Sequence, residues 1–434
     1  MRRGIVWLHS ELPALVDQGV ISAEAAESLR RHYGPPDTVG AAGRLGQIAL
    51  ASLGALLVGG GLILILAHNW ESLGRPARGA IALGILVVAQ ASTFYAVSRR
   101  GSSVAWREAT AAFLVVAVGA SISLVGQTYN LGGTFEDLLR AWLWLVVPIP
   151  YLTGSILSAV GVWSLLVVRV SPFSSFSPPV DIWALAFAAG PFVIMRARIA
   201  PESWATSILA IFAAASMFIV GTGTALTLDH QWDGLWVLFG VPFVASLIAA
   251  ASWRPAVERA AWQRRLLHPA WLVLIVIATI LSFDNVWRNF GRANLGDPHA
   301  IVVVGVAAAC IVLTSLVTVA LTRAREFAAA LGSGAAVLVA VFYVLARGGL
   351  PDLGWLAFNA WLLAVGAVTL NDGFRRMELG TANRGLAAVG AFLIARFFDT
   401  DLSFLFRGLV FVALGVACFV VNVWLMRRGR RQAL

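Results

Sequence analysis

Residues capable of chemistry gather in three short clusters of this 434-residue chain, each at the end of a long apolar stretch. The first is His68-Asn69-Trp70-Glu71, followed by Arg75-Pro76 and Arg78. The second reads Gly126-Gln127-Thr128-Tyr129-Asn130-Leu131-Gly132-Gly133 and continues into Glu136, Asp137 and Arg140. The third is Arg396-Phe397-Phe398-Asp399, with Asp401 close behind. Carboxylates, guanidiniums, amides and an imidazole at the edge of apolar sequence can pair with one another, hold a proton or cation, or receive a polar solute. Arg396 lies close enough to an apolar run to need a carboxylate, which Glu71, Glu136, Asp137 or Asp399 could supply. The glycines at 126–133 predict a helix that unwinds there, and broken helices in membranes often line substrate sites. Each cluster also has a plainer structural reading: an interfacial Trp with a polar cap, a Gly-rich turn between helices, and an Arg396/Asp399 pair that satisfies itself.

Enzyme signatures are mostly missing. The chain has no Lys, which removes a phosphate-binding Walker loop. His9, His32, His68, His230, His268 and His299 form no pair at metal-binding spacing. Asp229, His230 and Asp233 read as an acidic loop, and Cys310 and Cys418 both sit in apolar stretches, away from any disulfide or thiolate framework. No catalytic residue, metal or cofactor is therefore assigned. The net charge of +10 is spread over many loops, which argues against a nucleic-acid interface.

The elements that must position these clusters are transmembrane helices. Hydrophobic residues make up 59% of the chain and charged residues 12%, about half of what a soluble domain carries. Apolar runs predict an all-α polytopic bundle of about 14 spans: 46–67, 77–98, 107–125, 138–153, 155–170, 181–195, 203–222, 234–253, 270–283, 300–321, 326–346, 353–370, 384–397 and 404–426. The uncharged stretch 141–168 is long for one helix and short for two. Read as a tight hairpin around Pro148, Pro150 and Gly154, it puts most downstream arginines on one side, which the positive-inside rule makes cytoplasmic. Both termini are then cytoplasmic, and all three polar clusters face outward.

Residues 1–40 predict a cytoplasmic helical hairpin, with Gly19 breaking the pattern and Ser22 capping the second helix. It is too small to bury its own core, so it either lies on the membrane or against the bundle, or serves as a handle for a protein partner or self-association. Residues 41–153 form an N-terminal membrane module, and 154–434 the remaining bundle with its basic tail. The basic segments 254–267 and 427–431 suit anionic lipids at the cytoplasmic face of the lipid bilayer.

The stretch LVGGGLILILAHNWESLGRPARGAIALG (57–84) resembles the opening of a bacterial family of predicted membrane proteins, domain of unknown function 2157. DQGVISAEAAESL (17–29) and GQTYNLGGTFEDLLRAWLWLVVPIPYL (126–152) are similar to the same family. The tail NRGLAAVGAFLIARFFDTDLSFLFRGLVFVALG (383–415) is similar to the end of its longer members. The resemblance implies a multi-pass protein of the bacterial inner membrane, and no substrate or catalytic residue.

Three functions follow as expectations. The first is a transport-like protein, or one handling lipid or another small molecule, with an outward-facing polar cavity built from His68, Asn69, Glu71, Gln127, Tyr129, Asn130, Glu136, Asp137, Arg140, Arg396 and Asp399. The second is a non-transporting scaffold or sensor that docks a partner through residues 1–40. The third is an intramembrane transferase using His68 or Glu136 as a base.

Overall fold

The computed structural model describes residues 11–33, 73–100, 103–170, 181–228, 234–255, 258–288, 290, 298–376 and 378–397. The expected spans 46–67 and 404–426 lie outside them, as do the 427–431 tail, the Asp229/His230/Asp233 loop, and His68, Asn69, Glu71 and Asp399. Among the described residues the secondary structure is helical, with no strand. Residues 1–78 and 79–434 form two units.

In the first unit residues 11–17 are helical and the chain turns at Gly19, whose φ of 71° favours glycine. The Ser22 hydroxyl accepts the Ala25 N–H at 3.2 Å and starts α1 (Ala23–Tyr33). Break and cap fall where the sequence puts them. Leu12 and Ala26 are buried, while Val20 is exposed.

The remaining helices, in order, are α2 (Arg75–Arg99), α3 (Val104–Tyr129), α4 (Phe135–Val146), α5 (Ile149–Thr153), α6 (Ile156–Val170), α7 (Asp181–Ile199) and α8 (Trp204–Leu228). They continue with α9 (Leu235–Ser252), α10 (Ala261–Leu281), α11 (Asp284–Trp287), α12 (Pro298–Arg323), α13 (Phe327–Arg347), α14 (Asp352–Arg376) and α15 (Leu379–Phe397). Nine helices among the described residues are long and apolar enough to cross a membrane: α2, α3, α7 to α10 and α12 to α14. The chain is a multi-pass membrane protein built as an all-α bundle.

The doubtful stretch 141–168 forms two antiparallel legs. Helices α4 and α5 run down to Gly154, where φ is 64°, and α6 returns. At the open end of this hairpin Glu136 meets Arg169 at 3.5 Å. At the closed end Glu108 of α3 caps α6. Its carboxylate accepts the Ser155 hydroxyl at 2.6 Å and the backbone N–H groups of Ile156 and Leu157 at 3.1 and 2.8 Å. These would otherwise be orphan donors of a helix start.

A second side chain serves the same purpose in α7. Pro191 interrupts that helix, and the Tyr151 hydroxyl enters the ladder beside it, donating to the Ala188 carbonyl and accepting the Phe192 N–H at 3.1 Å. Those two groups are an i, i+4 pair, so Tyr151 replaces a helical hydrogen bond at the interruption.

One span begins earlier than composition suggested. Helix α10 starts at Ala261, not 270, because Gln263 is buried and satisfied: its Oε1 accepts the Ala260 N–H at 2.9 Å and its Nε2 donates to the Ala250 carbonyl at 3.0 Å. The basic stretch 254–267 is thus split between a loop and the first turns of a spanning helix.

Close approach of helices rests on glycines that receive aromatic rings. A Cβ at Gly221 would overlap the Phe239 ring, one at Gly354 the Trp287 indole, and one at Gly332 the Trp271 indole at 2.7 Å. Where lipid is as apolar as the helix faces, this packing supplies much of the association energy. Phe239, Trp271, Trp287 and Phe358 are fully buried in the resulting core.

Candidate functional site

The polar side chains collect in two layers, one at each end of the helices of the second unit. One layer holds Glu136, Asp137, Arg140, Arg169 and Asp181. The other holds Arg259, Glu326, Asp372, Arg376, Glu378 and Arg384.

The first layer begins at the Gly-rich segment. Helix α3 does not unwind at Gly126; it continues through Tyr129 and ends on Asn130 in the left-handed region, φ 50° and ψ 44°. The N–H groups of Asn130 and Leu131 both return to the Gly126 carbonyl, the latter at 3.0 Å, so the glycines form a helix cap and turn. Tyr129 packs on Gly79 of α2, where a Cβ would lie 2.7 Å from its hydroxyl. Gln127 and Asn130 are exposed. The expectation of a broken helix is corrected here: Asn130 tolerates the left-handed conformation and the cap satisfies the carbonyl, so nothing forces the backbone open.

Helix α4 then starts with a capping box. Thr134 N–H and hydroxyl each lie 2.9 Å from the Asp137 carboxylate, and the Asp137 N–H donates to the Thr134 hydroxyl at 3.3 Å. The Thr134 backbone bond, then its side-chain bond, hold the Asp137 carboxyl below the usual carboxylate range.

One and three residues away, Glu136 and Arg140 reach separate helices. Glu136 holds Arg169, whose side chain is only 6% exposed, and Arg140 donates to Asp181 at 2.6 Å. In each pair the second carboxylate oxygen, Glu136 Oε1 and Asp181 Oδ1, is buried without a hydrogen-bond partner among the described residues. Burying a cation this deeply requires a close anion, which Glu136 provides. Arg169 and Asp181 were not among the residues singled out from sequence. Arg169 sits inside an apolar run that reads as ordinary span, and its burial depends on which face of α6 turns inward.

Arg396 is not brought to Glu136 or Asp137. Its guanidinium donates to the Ser282 carbonyl at 2.8 Å, at the C-terminal end of α10, and lies over the Phe283 ring at 5.2 Å. A cation at the negative end of a helix is stabilised there. Asn359 donates to the same carbonyl at 2.9 Å. Of the cavity expected from sequence, the structure joins Glu136, Asp137 and Arg140 in one cluster. Gln127, Tyr129 and Asn130 end the preceding helix, and Arg396 serves a different one.

Residues 13–159 match the family described as predicted membrane protein (DUF2157). The DUF2157 match covers the first third of the chain, including α1, the capped end of α3, the Thr134 box and the Gly154 turn, and it stops short of 383–415. No curated protein and no solved structure matches the chain.

The second layer surrounds a half-open cavity of about 30 Å³, enough for about two waters. Arg376 pairs with Glu326 at 3.0 Å. The Thr381 hydroxyl donates to Glu378 at 2.9 Å and accepts from Arg384 at 2.7 Å. Nothing in the sequence grouped these residues, because they come from five separate helices and loops. A wider groove of about 500 Å³ lies between α2 and α3, lined by Val88, Ser92, Ala105, Trp106, Ala109, Thr110 and Phe113. Its lining is almost wholly apolar, as a surface against acyl chains requires.

Among the described residues no group of three His, Cys, Asp or Glu side chains could hold a metal.

Proposed function

We propose that the protein is a transport-like or small-molecule-handling membrane protein that works through the charged layer of Glu136, Asp137, Arg140, Arg169 and Asp181. The observation that carries this reading is the buried Arg169, held by Glu136 at 3.5 Å while Glu136 Oε1 has no hydrogen-bond partner among the described residues. A buried guanidinium paired with a carboxylate that has spare acceptor capacity can exchange partners with an incoming polar group. Arg196, Arg198, Arg264, Arg265, Arg323, Arg375 and Arg376 lie at the opposite end of the helices. By the positive-inside rule that end is cytoplasmic and the Glu136 layer faces outward. An inner-membrane location belongs to the same proposal.

The test uses full-length protein with Cys310 and Cys418 replaced by Ala and one cysteine introduced at the exposed Thr134. An impermeant maleimide is added to inside-out vesicles or to cells with a permeable outer envelope. Reaction from the outer face alone, at a rate changed by Glu136→Gln, is expected. Reaction from the cytoplasmic face refutes the orientation, and a rate indifferent to Glu136→Gln refutes the exchanging site.

A scaffold or sensor role has one observation in its favour, the exposed Val20 at the tip of the N-terminal hairpin. Removal of residues 11–33 abolishes function with the helices intact if that role is correct, and is silent if the charged layer is the working part.

A further inference from the structure

The second layer contains a half-buried cation outside any ion pair among the described residues. Arg259, in the loop between α9 and α10, lines the cavity together with Ser252, Trp271, Glu326, Asp372 and Arg384. Burial pushes its pKa down, against the pull of Glu326 and Glu378. Among the described residues no carboxylate comes within ion-pair distance of it. Its Nε is spent on the Arg254 carbonyl at 3.1 Å, which fixes the loop and leaves the two terminal nitrogens for other acceptors. The second observation is independent. Ser252, 1% exposed, lines the same cavity, and its hydroxyl has no hydrogen-bond partner among the described residues.

The three carboxylates at the site are engaged or balanced. Glu326 is bound to Arg376, Glu378 accepts from Thr381, and Asp372 acts on Arg376. An oxyanion in the cavity would take N–H from Arg259 and O–H from Ser252. A singly charged group suits the nearby carboxylates better than a dianion, whose extra charge they would repel. The cavity is half-open, so an oxyanion can present one or two oxygens at its mouth with its substituents left outside.

We propose that this cavity is a phosphate-type oxyanion site, held by Arg259, Arg384 and the Ser252 hydroxyl, and suited to a phosphodiester such as an anionic lipid headgroup. The guanidinium fork matches two phosphate oxygens. The site does not depend on the function proposed for the Glu136 layer, which lies at the opposite helix ends.

The experiment measures thermal unfolding of the full-length protein in a zwitterionic detergent, with added phosphatidylglycerol or inorganic phosphate, at ionic strength matched by chloride. Phosphatidylglycerol is expected to raise the Tm, and Arg259→Gln to weaken the apparent binding by about tenfold. Ser252→Ala weakens it as well while keeping every charge, so the conclusion does not hang on the folding of Arg259→Gln. Arg254→Gln, which changes an exposed neighbour in the same loop, leaves binding unchanged. A shift with phosphate equal to that with lipid identifies free phosphate as the ligand. No shift with either, or equal losses in Arg254→Gln and Arg259→Gln, overturns the site.

Discussion

Glu136 and Arg169 stand 33 residues apart in sequence and 3.5 Å apart in space, at the open end of the hairpin whose closed end is Gly154. The pair fixes two things at once. It establishes that α4–α5 and α6 are antiparallel, and it compensates a guanidinium that is 6% exposed.

Glu136→Ala is therefore expected to destabilise the protein by about 3 kcal/mol, because it strands Arg169 without its anion. Glu136→Leu combined with Arg169→Leu should recover most of that loss, since an apolar pair needs no desolvation. Thermal unfolding of the three proteins in detergent gives the comparison. A double variant no more stable than Glu136→Ala would mean that the charges themselves organise the hairpin.

The capped end of α3 makes a prediction opposite in sign to a hinge. A Cβ at Gly126 meets nothing within 4 Å and the backbone there is helical, so Gly126→Ala should stabilise by about 0.5–1 kcal/mol. In contrast, a Cβ at Gly373 would overlap the backbone of Ala382 where α14 meets α15. Backbone cannot move aside as a side chain can, and Gly373→Ala should cost about 1–3 kcal/mol. Equal effects at the two positions would show that the α3 terminus is packed more tightly than its open surroundings imply.

Asp137 supplies a pH dependence. Hydrogen bonds from Thr134 lower its folded-state pKa beneath the unfolded value near 3.8. Its contribution is accordingly complete above the ordinary carboxylate range and is lost as pH falls through the folded pKa. Asp137→Asn should flatten the acid limb of a stability-against-pH curve and leave stability at neutral pH reduced by the loss of the box. An unchanged acid limb would assign that limb to other carboxylates.

The local features of this chain were legible because their causes lie within a few residues. Apolar runs of spanning length announced a helical membrane bundle, Gly19 and Ser22 announced the N-terminal break and cap, and Pro148 with Gly154 announced the turn. Charge parity then chose two legs over one. Tertiary structure alone decided the rest. It paired Glu136 with Arg169, set Arg140 on Asp181 across 41 residues, put the Tyr151 hydroxyl into the ladder of α7, and assembled the Arg259 cavity from five segments. The physical reason is that lipid leaves an apolar helix almost indifferent to its rotation and register. These are set by glycine–aromatic contacts and buried polar pairs between helices, and such contacts leave no periodic signal in the sequence.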